Sequence, residues 1–396
     1  MEKIYDYTIK LLRYVLKGDV PDLPNDIDFE KLYEFSLKHG IEVMIFTALT
    51  HLNVKLPFNI YERFRAKCSF AVMRDTKQIY EFGLICRKFE DAHIDYMPLK
   101  GIVIRNLYSE SSFRKSGDID ILVKPNDISK AESILLENGY TYDNSKECEL
   151  HKQYLKMPFI AIEIHDRLVE KKRRSYNAFN NIWNFSGIKS GSEYCYEMDI
   201  EHYYAFVIAH LAKHISCNGA GIKFIADIWV LNNLYRDKFD AKKLTYVLKE
   251  ANLLEFEHVA NELAYAWFDG LPIRDRNAEI LGNFVLQSGS FGTKHLGKLM
   301  KASVATVSKR NKVKYFAKRF KSNIFFPYEK LRKKYDYIAR CKILYPVACV
   351  NRIWDLMVHD NRSVRNLIEA TVEYDAEKSG ELFELYNMVS DDAIIK

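Results

Sequence analysis

The chain has 396 residues, of which 48% are hydrophobic, 14% are aromatic and only 9 are prolines, a composition that excludes a disordered tail or linker. Its length allows two or three packed units. The formal net charge of +6 is unevenly spread, because residues 294–334 carry 14 Lys and Arg against one acid and leave a net −7 for the remainder.

Three features of the sequence predict a cytoplasmic protein. Residues 1–19 carry acids and bases among their apolar positions, so they lack the uninterrupted apolar core of a signal peptide. No apolar run approaches the length of a transmembrane span. The seven cysteines are odd in number and form no Cys-x-x-Cys pair, as expected for free thiols in a reducing compartment.

Residues 1–90 are predicted to be helical, because apolar residues recur at spacings of three and four. Turn signals at residues 18–25 and 51–57 separate the helices. No residue in this region has an obvious chemical role. We therefore expect a helical cap that packs against the rest of the protein.

A short strand, a turn and a helix are predicted next. Residues 94–99 have the pattern of a strand, Lys100-Gly101 that of a turn, and residues 102–108 that of a helix. A glycine at such a turn lets an anion approach backbone N–H groups at the positive end of the helix. Lys100 adds a positive charge, so the turn is a candidate phosphate site.

Asp118 and Asp120 are paired acids in a predicted strand, Gly-Asp-Ile-Asp-Ile-Leu-Val. Side chains two residues apart on a strand point the same way, so both carboxylates are expected on one face. Two like charges this close raise each other's pKa, and the arrangement is costly without a divalent cation or basic neighbours. The pair is therefore a candidate metal site.

A third acid lies on a later predicted strand. After a predicted helix that ends at Gly139, strands are expected at residues 140–143, 150–156 and 159–168. In the last of them the isoleucines alternate with Ala161, Glu163 and His165, which share the opposite face. A lone Glu on a strand is ordinarily solvated, and a histidine beside it either orients the site or packs in the core.

The rest of the chain is predicted to be mainly helical, with helices at residues 201–216 and 224–234. The basic segment, residues 294–334, has two interpretations. It either meets a polyanion such as RNA or forms a solvated face, and charge alone favours the solvated face.

These motifs together carry a family resemblance. Leu-Lys-Gly at residues 99–101, then Tyr108, Arg114 and Gly-Asp-Ile-Asp at residues 117–120, resemble the DNA polymerase β-like nucleotidyltransferase superfamily, in particular a bacterial branch with this signature. The resemblance implies an α+β fold with a small mixed sheet and flanking helices. Periodicity, charge and the resemblance together predict four regions: a helical N-terminal region (1–90), the catalytic core (91–190), a helical domain that completes the nucleotide site (191–290) and a basic helical C-terminal region (291–396).

The chemistry implied by the resemblance is transfer of a nucleoside monophosphate from a nucleoside triphosphate, possibly ATP, with release of pyrophosphate. Such a reaction uses divalent ions, and two Mg²⁺ are expected here. The resemblance makes Asp118 and Asp120 metal ligands. Glu163, where the family has its third carboxylate, is expected to be the third ligand or the base that takes the acceptor's proton.

Further residues are expected at the triphosphate. The resemblance implies that Lys100, Gly101, Gly117 and Arg114 bind or position it, with Arg114 acting through a bidentate fork. An ion pair of Arg114 with Asp118 or Asp120 is the structural alternative. From the helical domain, Lys213 is expected to reach phosphate and Asp227 to pair with Lys213, while His165 orients or gates the site.

The acceptor is not defined by any motif, and a small molecule, a sugar, a protein hydroxyl or an RNA end all remain open. The alternative function is a catalytically inactive protein of the same fold that binds a nucleotide or an anionic partner. A third hypothesis is a helical polyanion-binding protein in which the paired acids are incidental.

Overall fold

The computed structural model describes residues 2–22, 24, 26–144, 150–217 and 219–289, and later residues 328–332, 335, 337, 338, 344–358 and 376–390. The chain divides into a first unit, residues 1–292 with 388–396, and a second unit, residues 293–387. Among the described residues, no helix combines the length and the apolar character needed to cross a membrane.

The described part of residues 2–91 forms four helices: α1 (Glu2–Lys17), α2 (Phe29–His39), α3 (Glu42–His51) and α4 (Phe58–Asp91). The predicted turns separate α1 from α2 and α3 from α4. The break between α2 and α3 is not anticipated by the periodicity. It arises because Gly40 adopts a left-handed conformation (φ 65°) that ends α2.

Helix α4 is 34 residues long, and one continuous stripe of its side chains is buried. Most of the stripe is apolar, as in Phe64, Ile85 and Phe89, but its middle buries three polar residues. They are Asp75, Gln78 and Glu81. Buried polar groups need partners, and these three accept hydrogen bonds from Arg105 and Lys156.

A five-stranded mixed sheet follows, in the order β1-β2-β5-β4-β3. Its strands are β1 (Tyr96–Leu99), β2 (Ile119–Val123), β3 (Thr141–Asp143), β4 (His151–Lys156) and β5 (Ile160–His165). The central pair, β2 and β5, is parallel, and the other neighbouring pairs are antiparallel. The architecture is therefore the predicted α+β class with a small mixed sheet and flanking helices.

One face of the sheet carries its apolar side chains, as the alternation predicts. Ile119, Ile121 and Val123 of β2 are fully buried and belong to the same core cluster as the isoleucines of β5. Residues of α4 and of α6 (Ile128–Glu137) complete the cluster. The polar side chains of β2 and β5 therefore lie on the opposite face.

The segment between β1 and β2 is less helical than predicted. In place of one helix over residues 102–108, α5 (Gly101–Ile104) is followed by a 3₁₀ turn (Arg105–Leu107). Arg105 is fully buried in that turn, where it donates to Asp75 and Gln78 of α4. Because Arg105 makes these buried contacts with α4, the α-helix ends at Ile104 and does not continue to residue 108.

Helices dominate after the sheet. The first unit continues with α7 (Tyr176–Phe179), the hairpin strands β6 (Ser186–Ile188) and β7 (Tyr196–Met198), α8 (Ile200–Cys217), α9 (Ile222–Tyr235), α10 (Ala241–Glu250), α11 (Leu254–Asp269) and α12 (Arg276–Ser288). Later helices are α13 (Tyr328–Arg332), α14 (Tyr345–Val358) and α15 (Ala376–Val389). Of the basic segment, residues 294–327, 333 and 334 lie outside the described residues.

Candidate active site

The pairing of β2 with β5 brings two of the predicted acids side by side. In this parallel register Asp120 is the direct neighbour of Glu163, while Leu99 flanks Asp120 on β1 and Gln153 flanks Glu163 on β4. Neighbouring residues in register point to the same face of a sheet. Asp120 and Glu163 are only 2% and 7% exposed, so both carboxylates are buried on the face opposite the apolar core.

Two basic side chains contact Asp120. The Nζ of Lys100 lies 2.5 Å and the Nε2 of His165 lies 2.9 Å from the same oxygen, Oδ1. Burial alone would raise the pKa of Asp120, but these two neighbours more than offset it and lower that pKa. Asp120 is therefore held as a carboxylate.

Asp118 lies one residue before β2, half-buried beside the same group of acids. Burial raises the pKa of Asp118 to about 7, and the carboxylates of Asp120 and Glu163 add to the effect. Lys100 only partly opposes this shift. Asp118 is thus the acid of the three that gains most from a divalent cation.

Glu163 lies at the centre of a polar cluster that includes His151 and Gln153, two residues not predicted from the sequence to be at the site. Gln153 donates from Nε2 to Oε1 of Glu163 at 3.1 Å, and the Nε2 of His151 lies 3.4 Å from that same oxygen. The Nε2 of His165 lies 3.5 Å from Oε2. Alternation along residues 150–156 places His151 and Gln153 on one strand face, but only the register of β4 against β5 shows that Glu163 lies beside them.

The turn between β1 and α5 is closely packed against the loop before β2. Lys100 has the positive φ of 50°, while Gly101 is buried against Ser116. A methyl group on Gly101 would lie 2.2 Å from Oγ of Ser116. Ser116 therefore fills the space that a side chain at position 101 would need, and the approach of a phosphate to the backbone of Gly101 stays a prediction.

We expect Gly101→Ala to lower the free energy of unfolding by about 1–3 kcal/mol, the usual cost of overpacking. Urea denaturation measures it. Gly83→Ala is the matched control, because Gly83 is in α4 with no atom within 4 Å of an added methyl group, and alanine favours a helix. Adding Ser116→Gly should restore much of the stability lost by Gly101→Ala. Equal unfolding free energies for Gly101→Ala and wild type would contradict the packing role.

Arg114 is not at the acids. Its Nε donates to both carboxylate oxygens of Asp227 on α9, at 2.7 and 2.8 Å, and the hydroxyl of Tyr108 donates to the same carboxylate at 2.8 Å. Both sequence interpretations of Arg114, a triphosphate contact and an ion pair with Asp118 or Asp120, are replaced by this buried pair. Asp227 correspondingly pairs with Arg114, and the predicted pair with Lys213 is wrong.

Two side chains of α4 hold Gly117 in place. Its carbonyl accepts hydrogen bonds from Arg74 at 2.6 Å and from Gln78 at 3.4 Å. The side chain of Ser116 also donates to the carbonyl of Asp118 at 2.9 Å. The loop that delivers Asp118 is therefore fixed from one side by α4.

Lys213 of α8 shares a cavity with Lys100 and His165, the two side chains that contact Asp120, and its contact with phosphate stays a prediction. Two more side chains line this small cavity, His210 and Arg173. Burial lowers the pKa of Lys213, and the charges of Lys100 and Arg173 lower it further. Basic side chains that share a cavity favour an anion between them.

The donor set fits magnesium. Mg²⁺ prefers oxygen ligands and binds through one or two carboxylates together with substrate phosphates. Asp118, Asp120 and Glu163 offer such oxygens on one side of the sheet, where burial and, after it, the two neighbouring carboxylates raise the pKa of Asp118. Lys100 and Lys213 add cations at the edge of the same site.

Comparison with known proteins gives one match. A family model described as an uncharacterised nucleotidyltransferase matches residues 25–269, well over half of the chain. The matched segment includes the five-stranded sheet, all three acids and helices α8 and α9. No curated protein and no solved structure matches the chain.

Proposed function

We propose that this chain, which belongs to the nucleotidyltransferase family, transfers a nucleoside monophosphate from a nucleoside triphosphate to an acceptor and releases pyrophosphate. The proposed reaction depends on Mg²⁺. The observation that carries the proposal is the register of β2 and β5, which puts Asp120 beside Glu163 with Asp118 two residues away.

In this proposal the three acids hold the cation. When bound, Mg²⁺ offsets the charge that builds up on the attacking and leaving oxygens. Asp118 and Asp120 are the proposed ligands, and Glu163 is either the third ligand or the base for the acceptor's proton. His165 orients Asp120 through its 2.9 Å contact.

The cations are proposed to serve the triphosphate. Lys100 and Lys213 line one cavity beside His165, so they can neutralise phosphate oxygens at the edge of the acids. The acceptor's nucleophile attacks the α-phosphorus, the bond to pyrophosphate breaks, and the acceptor's proton leaves to Glu163 or to solvent. Arg114 takes no part, because its carboxylate partner is Asp227.

One observation favours the second candidate, binding without catalysis. Lys100 and His165 already contact the carboxylate of Asp120 at 2.5 and 2.9 Å, so this acid has basic partners in the absence of a cation. A protein of this kind would bind a nucleotide or an anionic partner and leave it unchanged. RNA is one such partner, given the basic segment at residues 294–334.

Labelled nucleotides separate the two candidates. We expect the protein, incubated with Mg²⁺ and a cell extract, to move label from an α-labelled triphosphate to an acceptor and none from a γ-labelled one. Removal of Mg²⁺ with a chelator should stop the transfer. Transfer of the γ-label would indicate phosphoryl transfer instead, and binding without transfer of either label would support the non-catalytic candidate.

A further inference from the structure

A second set of potential ligands lies beside the paired acids. Suitable atoms of His151, Glu163 and His165 all lie within 4.8 Å of one another. The three residues come from the adjacent strands β4 and β5, where His151 is paired in register with His165. They therefore form one compact group on a rigid part of the fold.

The spacing within this group suits a metal ion. The Nε2 of His151 and the Nε2 of His165 lie 3.4 and 3.5 Å from the oxygens of Glu163. Ligand atoms about 2.1 Å from a tetrahedral ion are separated by roughly 3.4 Å. Binding would therefore require only small side-chain movements.

The chemistry of the donors differs from that of the paired acids. Two imidazoles and one carboxylate suit borderline ions such as Zn²⁺ or Co²⁺, whereas Mg²⁺ prefers oxygen alone. Three protein ligands also leave a position open for water or substrate, as in catalytic metal sites.

We propose that His151, Glu163 and His165 form a nitrogen-containing site for a transition-metal dication, separate from the oxygen site of Asp118 and Asp120 and joined to it through Glu163. When this site is occupied, His165 turns from Asp120 to the ion, so its contact with Asp120 orients that carboxylate only until the ion binds. The inference deepens the proposed function, because it gives the two expected ions different chemistry.

Metal binding can be measured without nucleotide or acceptor. The full-length protein, stripped with a chelator, is titrated with Co²⁺, whose visible absorption strengthens when the ion leaves water for a four- or five-coordinate site. We expect saturable binding of a single equivalent at the site, displaced by Zn²⁺ and not by a large excess of Mg²⁺. The result does not depend on transferase activity, so failure of the site and failure of the proposed function remain distinguishable.

His151→Gln is the test variant. We expect it to raise the dissociation constant for Co²⁺ by more than about 100-fold, because even the loss of an outer partner of a metal ligand costs about 10–100-fold. His258→Gln is the matched control, since His258, Glu262 and Asp275 form a second such group among the described residues. It should leave the absorption signal unchanged.

A measurement on the wild type protects the test against misfolding of the variant. Pulsed electron paramagnetic resonance of the Cu²⁺-loaded protein should detect two imidazole nitrogens on the bound ion. Absence of saturable Co²⁺ binding, equal affinities of wild type and a folded His151→Gln, or loss of the signal in His258→Gln would each overturn the proposal.

Discussion

Replacing Asp118 with asparagine is expected to reduce nucleotidyl transfer by at least about 10²–10³-fold, the loss that follows removal of one preorganised electrostatic contact in other enzymes. The protein should nevertheless stay folded. Asp118 is half-buried and gains a proton near neutral pH, so an uncharged amide of the same shape suits its surroundings. The rate of transfer from an α-labelled triphosphate measures the effect.

The pH dependence of stability provides the control. The carboxyl of Asp118 has a pKa of about 7 in the folded protein and an ordinary value of 3.8. Between these two values the unfolded chain has lost the proton that the folded chain retains, so the free energy of unfolding falls as the pH rises from about 4 to 7. Asp118→Asn should remove this part of the slope. A variant that transfers label at the wild-type rate would contradict the assigned role.

Replacing Asp227 with alanine is expected to lower the free energy of unfolding by about 3–5 kcal/mol, because the variant leaves a buried guanidinium without its counter-charge. The side chains of Arg114 and Asp227 are only 6% and 2% exposed, and Tyr108 loses its acceptor in the same variant. Urea denaturation measures the change. The double variant Arg114→Met, Asp227→Leu should recover much of the loss.

The control for Asp227 is a pair of the same kind nearer the surface. Lys124 and Asp95 lie 2.7 Å apart, with side chains 37% and 25% exposed. Asp95→Ala should cost no more than about 1 kcal/mol, as exposed ion pairs do. If Asp227→Ala were as stable as wild type and yet lost nucleotide binding, Arg114 would belong to the substrate site after all.

Local patterns were sufficient to predict the five strands of the mixed sheet and to place the three acids on or next to them, but not the short hairpin of β6 and β7. Alternation in β2 and β5 assigned the apolar and acidic faces correctly, because the two-residue period of a strand leaves only two choices. The pattern could not supply the parallel register that sets Asp120 beside Glu163, since this depends on how two distant segments pair. His151 was missed for the same reason.

The wrong predictions involve contacts between residues far apart in the chain. Arg114 and Asp227 are 113 positions apart, and no spacing rule connects them. The packing of Ser116 against Gly101 is likewise visible only in the folded chain. Polar residues within the helical stripe of α4, such as Asp75 and Gln78, were the available signal that this helix holds the loops of the site.

A crystal structure with a non-hydrolysable ATP analogue and Mg²⁺ tests the central claim most directly. We expect Mg²⁺ among the carboxylates of Asp118, Asp120 and Glu163, with phosphate oxygens completing its coordination. The Nζ of Lys100 should have moved from Asp120 to phosphate. A nucleotide bound elsewhere on the protein, with Lys100 still at Asp120 and no ion at the three acids, would contradict it.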